Sequence, residues 1–219
     1  MQWNVENDEL GFQDGIKESS STRRGVLRMV SSVHDPLGLA APAVLPAKII
    51  LQNLSRDKLD WEEEISNKQY ASESGYGTVT YIRMVNQKNE VNCALLSGKA
   101  RVLPLKTITI PHMELTAATV SICINRLLKR ELDLPITESY YWTDSQTVLR
   151  YINNKTARFH AFVANRISVI HKGSEPRQWS YVSTNDNPAD KCSRGQPIEE
   201  QAMAQRPRVL TENKAGMAK

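Results

Sequence analysis

The sequence has no long hydrophobic run. Nothing in it approaches the roughly 18 consecutive apolar residues that a membrane-spanning helix requires, so neither a span nor a membrane partner is expected. Its first residues are polar and acidic, with Glu6, Asp8, Glu9, Asp14 and Glu18 against the single Lys17, which does not read as a signal peptide. Cysteine is scarce: Cys93, Cys123 and Cys192 stand far apart, with no Cys-x-x-Cys pair and no Cys/His zinc spacing. Three scattered thiols exclude a disulfide framework and predict reduced cysteines in an intracellular protein, in cytoplasm or nucleus. There are no internal repeats and no low-complexity tract. Charge of one sign is also lacking. A net charge of +4 permits a nucleic-acid partner without demanding one. The 40% hydrophobic and 24% charged residues are ordinary for a globular domain.

Periodicity divides the chain. Trp3-Asn4-Val5 and Leu10-Gly11-Phe12 suggest a short strand pair. Arg23 to Val33 can form a helix, broken by Asp35-Pro36-Leu37-Gly38-Leu39, where Pro36 disfavours helix at Asp35 and Gly38 supplies turn freedom. A second apolar helix is predicted over Ala43 to Leu54. Residues 57–75 are acidic and then polar, and read as a boundary. Beyond it Thr78 to Val85 is β-branched and aromatic and reads as a strand, followed by a polar turn at Gln87 to Glu90. Further strands are predicted over Val91 to Leu96 and Lys106 to Ile110. Pro111 opens a helix whose stripe runs through Met113, Ala117, Val120, Ile124, Leu127 and Leu128. A strand Ser139 to Thr143, helices Ser145 to Ile152 and Ala157 to His171, and a strand Gln178 to Ser183 complete the pattern. This order argues an α/β domain with a mixed sheet flanked by helices.

Three carboxylates fall where chemistry could use them: Glu114 in the first turn of the helix after Pro111, Asp144 at the end of a strand, and Asp190 after Asn187-Pro188-Ala189. Carboxylates gathered at strand ends and helix starts can hold two Mg²⁺ ions, which clamp both oxygens of a phosphodiester displacement. Each also has a plain structural use: Glu114 at the positive end of a helix, Asp144 as an N-cap, Asp190 as a partner of Arg194. Residues 140–195 carry eight Lys/Arg and four Asp/Glu. Arg150, Lys155, Arg158 and Arg166 fall in the helical stretch after Asp144 and are candidates for contacts to a phosphate backbone, or else a solvated face. Contacts to a phosphate backbone position a protein without reading bases, so no sequence preference is expected. His112, His160 and His171 have no metal-ligand spacing and receive no role.

The strings around these carboxylates add to the argument. Thr109-Ile110-Pro111-His112-Met113-Glu114-Leu115, Trp142-Thr143-Asp144-Ser145 and Asn187-Pro188-Ala189-Asp190, followed by Ser193-Arg194-Gly195, resemble in order the motifs of the BEL/Pao retrotransposon ribonuclease H-like domain. Trp3-Asn4, Arg24-Gly25-Val26-Leu27, and Asp35-Pro36-Leu37-Gly38-Leu39 with Lys48 and Gln52 resemble the end of that family's reverse transcriptase region. The resemblance covers about residues 1–62 and 71–195. It implies a reverse transcriptase remnant over 1–62, a ribonuclease H-like domain over 63–195 and a polar tail over 196–219. It also implies a Mg²⁺-dependent cut of RNA in RNA/DNA hybrids by Glu114, Asp144 and Asp190, and no small-molecule cofactor. The short N-terminal segment offers no pair of metal-binding aspartates of its own, so a complete polymerase is not expected.

The family pattern breaks at one place. Such domains carry their first acid in an Asp-Ala-Ser string at the end of an apolar central strand, and here the stretch reads Gln69-Tyr70-Ala71-Ser72-Glu73-Ser74-Gly75-Tyr76-Gly77. Tyr70 stands where Asp is expected, and a phenol with a pKa near 10 is a poor Mg²⁺ ligand at neutral pH. Ile65 to Gln69 is also too polar for a strand covered on both faces. An internal truncation with impaired catalysis is expected, against two alternatives: an active endonuclease, or a non-enzymatic binding module that reuses the fold.

Overall fold

A computed structural model describes residues 2–4, 6, 9–11, 19–65, 75–106, 108–154 and 156–194. Tyr70, Glu73, Lys155 and the tail lie outside the described residues. The chain opens with a small antiparallel pair, β1 (Gln2–Asn4) and β2 (Glu9–Gly11). Helix α1 (Arg23–Ser32) begins where the buried Thr22 hydroxyl accepts the Gly25 amide at 3.1 Å, an N-cap that satisfies one of the helix's orphan donors.

The break before α2 (Ala41–Arg56) is built by Asp35 and Gly38. Both Asp35 carboxylate oxygens accept amides, from Leu39 at 2.9 Å and Ala40 at 2.8 Å. Gly38 has φ +74, and a Cβ there would lie 1.7 Å from the Gly98 carbonyl oxygen, so only glycine permits this approach. The loop is thereby docked on the strand opposite, where the Gly98 amide donates to the Leu37 carbonyl at 2.8 Å.

That strand belongs to a long hairpin, β3 (Gly75–Val85) and β4 (Val91–Val102), antiparallel with a bulge at Thr80/Tyr81. Its turn is made by Asn86, whose side-chain oxygen accepts the Lys88 and Glu90 amides, and by Asn89 at φ 62, a left-handed position asparagine tolerates. Leu45, Ala41 and Ile49 of α2 share one core with Ala100, Val79, Leu95 and Val102 of the hairpin. Packing therefore runs across position 62, where the sequence suggested a boundary. The acidic stretch behind it is tied down too. The Arg24 amide donates to the Trp61 carbonyl, the Ile65 amide to the Ser21 carbonyl, and the Arg23 guanidinium lies 3.9 Å from the centre of the Trp61 ring.

The second core sits among α3 (Ile110–Glu131), β5 (Tyr141–Thr143), α4 (Gln146–Asn153), α5 (Ala161–Gly173) and β6 (Trp179–Tyr181). Leu115, Ile122, Val148, Ile152 and Ile170 are fully buried in it, against Tyr141 stacked on Trp179 at 4.6 Å between centroids. Helix α6 (Pro188–Arg194) then returns to pack on β3.

Two expectations need correction. No strand is formed by the described residues of Lys106 to Ile110: β4 runs on to Val102, and the chain bends at Leu105-Lys106 before α3. Nor is there one mixed sheet among the described residues. The antiparallel β3–β4 pair and the parallel β5–β6 pair stay separate. A strand joining them would be covered on both faces and would need a continuous apolar run, and the residues that precede β3, 66–74, lie outside the described residues. The α/β class holds, with helices packed on small sheets.

Candidate functional site

Contacts between the helices fix their direction. His112 packs on Phe162 with centroids 4.4 Å apart, Arg166 reaches Thr116, and Gly173 abuts Ile122 and Arg126. The paired numbers rise together along both helices, so α3 and α5 run parallel. Helix α4 runs the same way. Its N-cap Ser145 meets Glu114 near the start of α3, and at its far end the Ile152 carbonyl accepts a hydrogen bond from the His171 ring near the end of α5. Three helix N-termini thus gather at one end of the core, with the positive ends of their dipoles together. Glu114 and Asp144 are both at that end.

The two carboxylates are close enough to feel each other. Burial raises the Glu114 carboxyl above its ordinary value, the Ser145 hydroxyl pulls it back by hydrogen bonding, and the Asp144 charge pushes it up again. Ser145 is 4% exposed and has a second duty, since its Oγ accepts the Val148 amide at 3.2 Å and so caps α4. The cap of α4 is therefore Ser145 and not Asp144. Sequence reasoning gave Ser145 no role; the signal available was a serine immediately before a helix.

Asp190 lies in the first turn of α6, its amide donating to the Asn187 carbonyl at 3.1 Å. Among the described residues no three His, Cys, Asp or Glu side chains come together in a group that could hold a metal ion. The structure brings Glu114 and Asp144 within electrostatic reach of each other, and Asp190 is carried by α6. Two adjacent carboxylates by themselves are a poor match for two divalent cations, whose mutual repulsion needs more anionic oxygen than that. The donor set among the described residues does not fit a two-ion centre.

The basic candidates separate in the same way. Arg150, in the last turn of α4, and Arg158, in the segment before α5, are exposed. Beside Arg158, Phe159 lies edge-on to Tyr151 of the last turn of α4, with ring centroids 5.2 Å apart. Arg166 instead turns inward. Its Nε donates to the Thr116 hydroxyl at 3.0 Å and its Nη1 to the Phe162 carbonyl at 3.1 Å.

No described helix is long and apolar enough to cross a membrane. No curated protein and no solved structure matches the chain. A profile of the family described as the Pao retrotransposon-like RNaseH-like domain matches in two segments, residues 22–71 and 69–145, which together span more than half of the sequence. The matched stretch takes in α1, α2, the hairpin, α3, β5 and the Asp144 that follows it, so the core shared by α2 and the hairpin and the carboxylate pair fall inside it, whereas α4, α5 and β6 lie beyond it. The chain belongs to the Pao retrotransposon-like RNaseH-like domain family.

Proposed function

We propose that this chain is a retrotransposon-derived ribonuclease H-like fragment that keeps part of an ancestral hybrid-cleaving site and has lost the catalytic whole. The observation that carries the reading is the Glu114–Asp144 pair, set at the gathered helix N-termini without a third metal-binding partner among the described residues. An internal truncation is supported by the form of the family match. Its two segments abut and overlap at residues 69–71, so the interruption leaves no intervening residues in this chain. It falls on Tyr70, where the expected Asp is absent, a few residues before β3 in the sequence. A Mg²⁺ requirement belongs to the ancestral activity. The assignment of 1–62 to the end of a reverse transcriptase rests on the Trp3-Asn4 and Asp35-Pro36-Leu37-Gly38-Leu39 strings. The shared core of α2 and the hairpin favours treating residues 41–56 as part of the folded ribonuclease H-like unit.

A second reading, nucleic-acid binding without chemistry, is favoured by the exposed Arg150 and Arg158 on a chain that keeps a partial site. In both readings the partner is an RNA/DNA hybrid held through phosphates, intracellularly. The test is a labelled hybrid incubated with the purified chain and Mg²⁺, followed for binding and for cleavage. Binding without cleavage is the expected result. Cleavage that Asp144→Asn abolishes would replace the impaired reading with an active one.

A further inference from the structure

The surroundings of Arg166 give it a task other than phosphate contact. We propose that Arg166 is a positioning residue that bolts the first turns of α3, and so Glu114, to the first turns of α5. The role rests on the reading of Glu114 as a site carboxylate.

The bolt is a closed circuit of four side chains. The Arg166 guanidinium lies 3.4 Å from the centre of the Phe162 ring while donating to the Thr116 hydroxyl and to the Phe162 carbonyl. Thr116 passes the connection on, its Oγ1 donating to the His112 carbonyl at 2.7 Å, and the His112 ring closes the circuit on Phe162. Glu114 lies between His112 and Thr116 in sequence, so the turn that carries it is held at both ends. The Tyr76 phenol of β3 is close enough to bear on the same guanidinium. The junction therefore gathers α3, α5 and the hairpin. It also sits at the edge of the helix core, where apolar packing gives way to the carboxylates.

The geometry uses what arginine alone provides. A planar fork can donate in two directions while its face rests on an aromatic ring, whereas lysine offers one compact charge on a flexible stem. A phosphate contact makes the opposite demand, because lysine serves as a point charge there and largely preserves binding. Arg166→Lys therefore separates the two roles.

The experiment is amide hydrogen exchange on the full chain, without nucleic acid or metal ions. For Arg166→Lys the amides of residues 114–118 are expected to exchange about tenfold faster, as loss of a charge-assisted hydrogen bond implies. Those of residues 122–131 should keep their rates. Thr116→Val removes the same bond from the other side with little change of shape. It should give the same local pattern at smaller amplitude, and it serves as the second variant should Arg166→Lys fold poorly. Unchanged rates at 114–118, or a uniform rise along all of α3, would overturn the assignment. Failure of the wild-type chain to bind a hybrid would count against the functional reading, and the exchange pattern would still decide the clamp.

Discussion

Leu45→Ala probes the join between the N-terminal helices and the hairpin. Leu45 is fully buried on α2, in one core with Ala100 of β4, and its Cδ2 lies 2.8 Å from where a Cβ on Gly75 of β3 would be. Truncating a fully buried leucine removes its transfer energy and leaves a cavity, together about 2–5 kcal/mol. At about 1.4 kcal/mol per factor of ten, the unfolding equilibrium rises roughly thirtyfold to several-thousandfold. With a urea dependence of about 2–3 kcal/mol per molar, the midpoint falls by about 0.7–2.5 M. The assay is urea unfolding followed by circular dichroism, paired with hydrogen exchange of the β3 and β4 amides. Because the core is shared, hairpin protection should fall together with that of α2. A midpoint shift below about 0.5 M, or an α2 that loosens while the hairpin keeps its protection, would refute the shared core and restore a boundary at residue 62.

Glu114→Gln should stabilise the chain at neutral pH, read as a higher melting temperature than wild type. A carboxyl whose folded-state pKa is raised contributes stability below its unfolded value and loses it as pH rises through the folded one, so the wild type carries a penalty at pH 7 that the amide removes. The advantage should vanish below about pH 4, where the unfolded carboxyl is protonated as well; a constant difference across pH would contradict the burial argument. Arg150→Glu combined with Arg158→Glu should weaken hybrid binding and flatten its salt dependence, by up to about one logarithmic unit per lost phosphate contact. An unchanged slope would make both arginines part of a solvated face.

Most single elements were legible in the sequence, and the reason is local. Pro111 and the stripe behind it mark α3, the Asn86–Glu90 turn chemistry marks the hairpin, and Asp35 with Gly38 marks the break before α2. What was not legible depends on partners distant in sequence. The apolar face of α2 announces burial but not that a hairpin more than twenty residues on will receive it. Arg166 has the pattern of an exposed basic position, and only the parallel alignment of α3 and α5 turns it toward Thr116. The pairing of Glu114 with Asp144 follows from a strand end meeting a helix start, which the motif order suggested. The placement of Asp190 depends on where α6 docks, and nothing in Asn187-Pro188-Ala189-Asp190 specifies that it packs on β3.

The measurement that bears most directly on the central claim is Mg²⁺-dependent cleavage of an RNA/DNA hybrid by two chains side by side. One is the natural chain. The other carries Tyr70→Asp preceded by an apolar strand in place of the polar residues 65–69. Deleting one member of a cooperating catalytic set lowers rates by several orders of magnitude, so the natural chain should stay at background and the repaired chain should cleave, with Asp144→Asn silencing it. Robust cleavage by the natural chain, abolished by Asp144→Asn, would contradict the account.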